Sequence, residues 1–401
     1  MALSVDEALA KILDGVEVMA AETVPIAEAA GRILAAPVIA LLTQPPFNAS
    51  AMDGYAVRSA DLTRLPVRLR LVGQAAAGHP YAGPVGPGEA VRIFTGAPVP
   101  GDTDTVIIQE NTVASDGAVE IREGSTAAGL NIRPLGGDFC QSEVLLTPGR
   151  RLGPRELTLA ASAGHGALQV RRKPRVAILA TGDELVMPGT LPGPGQIVCS
   201  NPLGIAGLAT QSGAETHFLG IARDTRASLA SHVAEARDAD VLVTIGGASV
   251  GDHDLVVPVL EQLGMALSFW KIDMRPGKPL LHGTFGKQRV FGLPGNPVSA
   301  IICARVFLVP YLRALLGVPQ EDDVSLIAPL AEPVEANGPR QHYMRATLQR
   351  SADGSYEVHP ARSQDSSLLA MLAAADVLLV RPPHAPPLNA GAQVTVLRLD
   401  F

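Results

Sequence analysis

Residues 173–318 carry the pattern that restricts the fold most. Val176–Ala180 is a continuous apolar run bounded by Pro174 and Gly182, as a strand buried on both faces requires. Runs suited to strands recur at Thr216–Ile221, Val241–Ile245, 267–272 and 289–293. Helical segments separate them. Asn201 as N-cap, with Pro202 at the first helical position, opens a helix that stops near Gly213. A second helix, Thr225–Arg237, follows the cap candidate Asp224; a third covers Leu255–Leu263; a fourth starts at Asn296-Pro297. Such alternation implies a parallel, doubly wound α/β sheet, which binds ligands beyond the carboxyl ends of its strands.

The flanking sequence reads differently. Ser4 and Glu7 have capping-box spacing ahead of an amphipathic helix that Gly15 ends. Between 45 and 138, short runs (Val67–Val72, Ala90–Phe94, Thr105–Gln109, Ala118–Ile121) lie between Gly/Pro turns, as in a small antiparallel β domain. Residues 139–172 return to a helix, Pro154–Ala163, and are expected to rejoin 1–44 as a linking domain, which makes 45–138 an insertion. Residues 319–401 alternate strands and turns as a C-terminal β domain. The fold class is thus multi-domain α/β and β.

Composition excludes several classes. The 401 residues suffice for two to four domains with their own cores. A net charge of −7 disfavours a general nucleic-acid binder. The N-terminus lacks a signal-peptide pattern, and no apolar run is read as a membrane span. Cys140, Cys199 and Cys303 lie far apart without a CxxC, which fits a reducing cytoplasm with neither a disulfide framework nor a thiolate zinc site.

Each expected strand end in 173–318 carries polar or glycine-rich residues: Asp183 and Glu184; Asp224; Gly246, Gly247, Ser249, Asp252 and Asp254; Lys271, Arg275, Lys278 and Pro279; Pro294 and Asn296. Singly, each has a plain structural explanation. Asp183, Asp224 and Asp252 suit helix caps, RPGKP suits a solvated turn, GLPGNP suits an Asn cap with Pro at the first helical position, and Trp270 suits a core. Together they place carboxylates, cations and glycine loops on one rim. Carboxylates suit Mg²⁺, the cations suit a polyanionic substrate, and glycines admit a phosphate close to the backbone. The combination points to a phosphate- or nucleotide-handling site that works by electrostatic stabilisation. A second cluster, Asp53 in NASAMDGYAV and Thr95 in RIFTGAPVP, sits in the inserted β region, where it reads either as tight turns or as the edge of a site completed by a neighbour.

PPFNASAMDGYAV, VRIFTGAPVP, ATGDEL, TIGGASVGDHD, RPGKP and GLPGNPVSA occur in the order and spacing of the molybdopterin molybdenumtransferase family, which the chain resembles over essentially its whole length; it also resembles the C-terminal domain of gephyrin. The resemblance implies insertion of molybdate into adenylylated molybdopterin with Mg²⁺ assistance and release of AMP, by a homodimer whose active site spans the subunit interface. It implies that Asp53 and Thr95 are donated across the dimer, with Glu184, Lys271 and Arg275 as further catalytic groups. Asp224, Asp252 and Asp254 would be metal-proximal. Asp183, Gly246, Gly247, Ser249, Lys278, Pro279, Pro294 and Asn296 would bind substrate. Arg345 in YMRATL and Ser366, in preference to its neighbour Ser367, match the family's molybdate site, although Arg275 stands where a lysine is common. Molybdopterin adenylyltransferase and molybdoenzyme maturation proteins are the implied partners. The doubly wound region also resembles the adenylyltransferase itself, which lacks the flanking β domains. A gephyrin-like binding module is the other alternative; a nicotinamide oxidoreductase is disfavoured because no GxGxxG follows a strand.

Overall fold

The computed structural model describes residues 2–247, 255–319, 325–351 and 354–399. Helix α1, Val5–Leu13, has the expected capping box, with Ser4 and Glu7 bonded to each other's backbone N–H. It does not join the residues around 139–172. Its buried face, Val5, Ala8 and Ile12, packs instead in the core of the α/β sheet. Strand β1, Ala21–Pro25, starts a small unit that the chain leaves before the inserted sheet and re-enters after it.

The inserted sheet comprises β2 (Gly54–Val57), β3 (Val67–Ala75), β4 (Glu89–Ile93), β5 (Thr105–Ile108), β6 (Thr112–Ser115) and β7 (Ala118–Ile121), in the order β5-β2-β4-β3-β7-β6. It is not wholly antiparallel, because β3 and β4 pair in parallel. Residues 76–88 form a crossover long enough to bring the chain back in the same direction. Tyr81 of this crossover lies on Gly73, where a Cβ would come within 2.2 Å of its ring. Helix α2, Pro154–Ser162, and β8, Ala167–Arg171, complete the small unit, with β8 antiparallel to β1.

The α/β unit runs β9 (Arg175–Thr181), α3 (Asn201–Gln211), β10 (Glu215–Ala222), α4 (Arg226–Glu235), β11 (Val241–Ile245), α5 (Val256–Gln262), β12 (Ala266–Phe269), β13 (Leu281–Phe285), β14 (Gln288–Leu293) and α6 (Pro297–Cys303). The sheet order is β10-β9-β11-β14-β13-β12. The first four strands of that order are parallel, while β13 and β12 add an antiparallel edge. A short turn between β13 and β14 explains the reversal, since a hairpin needs no crossover. Alternate residues of β9 supply two cores: Val176 and Ile178 face α1, α3 and α6, whereas Ala177 and Leu179 face α4 and α5.

Helix α6 runs through a π-turn, Ala304–Leu308, into α7, Val309–Leu315. Among the described residues Pro297–Leu315 is the one helix long and apolar enough, by length and composition alone, to cross a membrane. Pro310, Arg305 and Arg313 interrupt the apolar pattern in the sequence, and only the joined helices reveal its length. Its most apolar window is 89% buried inside the protein, as befits a core helix.

The C-terminal sheet holds β15 (Ser325–Pro329), β16 (Gln341–Arg350), β17 (Tyr356–Pro360), β18 (Val377–Arg381) and β19 (Gln393–Arg398). The two-residue strand Met274–Arg275 of the α/β unit extends this sheet beside β16. The two units are therefore joined by main-chain pairing as well as by sequence.

His282 on β13 is buried with both ring nitrogens unpartnered, stacked on Phe269 and edge-on to Phe291. Burial, with a smaller push from Arg289, lowers its pKa from 6.5 to about 4. Between those values the unfolded chain binds the proton and the folded one does not, so stability falls as pH drops from 6.5 towards 4. This shift corresponds to roughly 3 kcal/mol at the acid end. His282→Leu is expected to flatten that acid-side loss, measured as urea midpoints over a pH series; an unchanged pH slope would remove His282 as a cause.

Candidate active site at the strand ends

The carboxyl ends of the parallel strands meet at one rim, as the open-sheet rule requires. Gly246, at the end of β11, donates its N–H to Leu293 O at the end of β14 (3.0 Å), and Gly182 after β9 donates to Ala222 O of β10 (3.2 Å). These short links bring four loop starts around a cavity of about 570 Å³. Glu184, Asp224, Gly246, Gly247, Pro279, Pro294 and Asn296 all line it.

Gly246 has φ +93, and a Cβ there would lie 2.7 Å from Thr181 O. A side chain would thus meet both backbone strain and a clash with the cavity floor. The carboxylates of Glu184 and Asp224 accept no hydrogen bond from another described residue, leaving their oxygens available to a ligand. Asp183 touches the site indirectly, its Oδ1 accepting from the Asp224 N–H at 3.3 Å.

Two helix caps differ from expectation, with consequences for the site. Thr225, not Asp224, caps α4 by accepting from Ser228 N–H, which releases the Asp224 carboxylate to the cavity. Ser200 occupies the N-cap position of α3, and Asn201 sends its amide across to Gly295 O at 2.7 Å. Asn201, the first residue of α3, lines the cavity together with Ile197, Val198 and Cys199 from the segment that precedes the helix, none of which the sequence pattern marks as part of the site. Burial and the nearby Glu184 push the Cys199 thiol pKa up. The Asn-Pro pair was visible in the sequence but looked like ordinary capping.

The other named residues are distributed around this centre. Ser249, Asp252 and Asp254 lie outside the described residues. Lys278 is exposed beside the cavity-lining Pro279, and Arg275 is exposed on the strand that pairs with β16. Lys271 does not line the cavity; its Nζ lies over the Trp270 ring, 4.5 Å from the centroid. Trp270 is 41% exposed and is not a core residue, because it follows the end of the edge strand β12. Asp53 and Thr95 pair with each other: Asp53 Oδ1 accepts from the Thr95 N–H (2.8 Å) and hydroxyl (2.9 Å), which holds the Asp53 carboxyl below its usual range. They stand on the inserted sheet and do not line this chain's cavity.

Arg345 on β16 is buried. Its guanidinium donates to Ser363 O, Leu368 O and Gln364 Oε1, bracing residues 363–368. Ser366 in that loop meets Asn296 of the α/β unit, whose Nδ2 donates to Ser366 Oγ at 3.1 Å.

The chain matches the family regions described as "MoeA N-terminal region (domain I and II)" over residues 3–164, "Probable molybdopterin binding domain" over 177–314 and "MoeA C-terminal region (domain IV)" over 327–399. It is 36% identical over 390 residues to a molybdopterin molybdenumtransferase from Nostoc sp., covering 95% of this chain and 89% of that one. The chain belongs to the molybdopterin molybdenumtransferase family. It is a transferase of molybdenum cofactor biosynthesis. A Haemophilus influenzae relative of the same name is 34% identical over 399 residues, with 98% of both chains covered. In structure the chain is similar to a molybdopterin biosynthesis MoeA protein from Pyrococcus horikosii, with a TM-score of 0.85, 31% identity and complete coverage of both chains.

Gly246→Ala is expected to destabilise the protein by about 1–3 kcal/mol through left-handed backbone strain and the Thr181 clash. Thermal melting checks this; an unchanged melting temperature would show that the rim is not tightly built there.

Proposed function

We propose that this chain inserts molybdate into adenylylated molybdopterin with release of AMP, assisted by Mg²⁺. The observation that carries this reading is the cavity in which two uncommitted carboxylates, Glu184 and Asp224, face glycine-lined strand ends beside the Arg275–Lys278 loop. Molybdate and a phosphoanhydride are both anionic, so bringing them together requires local positive charge. Lys278 and Arg275 offer it on the oxyanion side.

Among the described residues no cluster of three or more His, Cys, Asp or Glu side chains forms a complete metal cage. Two free carboxylates nevertheless suit Mg²⁺, which commonly takes one or two together with substrate phosphate oxygens. Glu184 and Asp224 would hold it, and the ion would supply charge neutralisation at the phosphoanhydride. The glycine floor leaves room for the nucleotide phosphate to approach the main chain. Attack on the AMP phosphorus would break the anhydride and leave molybdopterin with its terminal phosphate. With an activated water as nucleophile AMP is released directly; with a molybdate oxygen the resulting adenylyl-molybdate releases AMP when the two dithiolene sulfurs, giving up their protons, bond to molybdenum in its place.

The active unit in this proposal is a homodimer, in which Asp53 and Thr95 of one subunit face the strand-end cavity of the other. Their absence from their own chain's cavity supports this, as do the exposed apolar side chains Leu41, Leu42, Phe47, Met52 and Leu135 in the neighbouring sequence and loops. Three free cysteines fit a reducing cytoplasmic compartment, where an adenylyltransferase would supply the substrate.

The test is molybdate- and Mg²⁺-dependent AMP release from adenylylated molybdopterin by the purified protein. Glu184→Gln and Asp53→Ala are each expected to slow it by about a hundredfold or more while leaving the dimer intact by sedimentation. Wild-type turnover by both variants would remove these residues from the mechanism.

A further inference from the structure

Arg92 of β4 stands opposite Tyr55 of β2 in the inserted sheet. Its guanidinium carbon lies 5.0 Å from the centroid of the Tyr55 ring and 4.7 Å from that of Phe94. Nη1 donates to Gly54 O at 2.8 Å, and Nη2 donates to Gln109 Oε1 at 2.6 Å. One planar cation thus links β2, its own strand and the residue that follows β5.

These partners adjoin Asp53. Gly54 follows it in the chain, and the Gln109 N–H donates to Asp53 O at 3.0 Å. A Cβ on Gly54 would lie 1.9 Å from Ile107 O, so β2 is already pressed against β5 here and has no slack on that side. The Asp53 carboxylate is held from the end of β4, by the N–H and hydroxyl of Thr95. Those two bonds lower its pKa most, and the Arg92 charge adds a smaller push in the same direction. Arg92 therefore fixes the main chain beside Asp53, while Thr95 fixes the acid itself.

We propose that Arg92 is a positioning residue for the transfer reaction, which sets where the Asp53–Thr95 pair stands when the inserted sheet of one subunit meets the strand-end cavity of the other. The inference rests on the reading of Asp53 as a group supplied across a homodimer, and adds what holds that group in place. The shape of the guanidinium matters as well as its charge. A planar fork reaches two acceptors at once and still lies over aromatic rings, whereas a lysine ammonium is a point donor on a flexible stem.

The experiment follows AMP release from adenylylated molybdopterin by the full-length protein and its variants. Arg92→Lys keeps the charge and loses the fork; it is expected to lower kcat by about ten- to a hundredfold, the scale that a misplaced reacting group costs, with KM for molybdate unchanged. Gln109→Ala removes one of the two acceptors at an exposed position. It is expected to lower kcat less, and it supplies the test should the Arg92 variants fail to fold. In an Asp53→Ala background Arg92→Lys adds little further loss, because it acts through Asp53, whereas general weakening of the sheet would add its loss in full. Mixed dimers that join an Arg92→Lys subunit to a Glu184→Gln subunit are expected to recover activity that neither parent dimer has, since one cavity then combines an intact Glu184 with an intact Arg92. Wild-type kcat in Arg92→Lys, a raised KM for molybdate with unchanged kcat, full additivity with Asp53→Ala, or a mixture as slow as its parents overturns the inference. Wild-type turnover by Asp53→Ala defeats the underlying reading of Asp53 together with the inference; a slow Asp53→Ala beside a fast Arg92→Lys defeats the inference alone.

Discussion

Double-sided burial of the parallel strands sets the geometry of the molecule. Val176, Ile178, Val241 and Val243 enter one core, while Ala177, Leu179 and Leu242 enter the other. A strand committed on both faces cannot slip by one residue without exchanging its two sets of side chains. The register is therefore fixed, and with it the height at which each strand stops. Thr181, Ala222, Ile245 and Leu293 end beside one another, and the loops after them have to share one rim. The sheet thus sets where the cavity lies, and the loops that follow its strands complete the lining.

The second constraint acts between units. Helix α1 belongs by sequence to the N-terminal region but by packing to the α/β core, and Met274–Arg275 of the α/β unit extends the C-terminal sheet. The segment carrying Arg275, Lys278 and Pro279 is thereby tied to the C-terminal sheet at one end and to the cavity at the other. Arg345 contributes by holding the 363–368 loop against the start of α6. Burying a guanidinium is costly unless its N–H groups find acceptors, and this loop supplies them. Its place in the fold is that of a brace.

Much of the site was legible one loop at a time. ATGDEL, the Gly246-Gly247 pair and GLPGNP each come after a strand whose apolar run is plain, and Glu184, Asp224, Gly246, Gly247, Pro279, Pro294 and Asn296 do converge. Less legible was the use to which each polar side chain is put. Asn201, Asp224 and Asn296 all look like caps, because local sequence offers each a nearby helix N-terminus. In the folded chain Thr225 and Ser200 take two of those positions, and the amides of Asn201 and Asn296 find partners on other loops. Lys271 was grouped with the rim cations by sequence position, whereas in the fold it lies over Trp270 at the end of an edge strand. The parallel pairing of β3 with β4 was hidden for a similar reason, since Gly/Pro-rich residues 76–88 resemble a series of turns.

The order of residues along the chain was enough to establish the doubly wound unit, its strand ends and the kinds of charged group they carry, because these depend on periodicity and on near neighbours. It took the folded arrangement to establish which unit α1 stabilises, that Asp53 and Thr95 stay out of their own chain's cavity, and which of two adjacent serines meets the α/β unit. Those outcomes depend on hydrogen bonds and packing between residues far apart in the chain, and local preference carries no information about which distant partner will arrive.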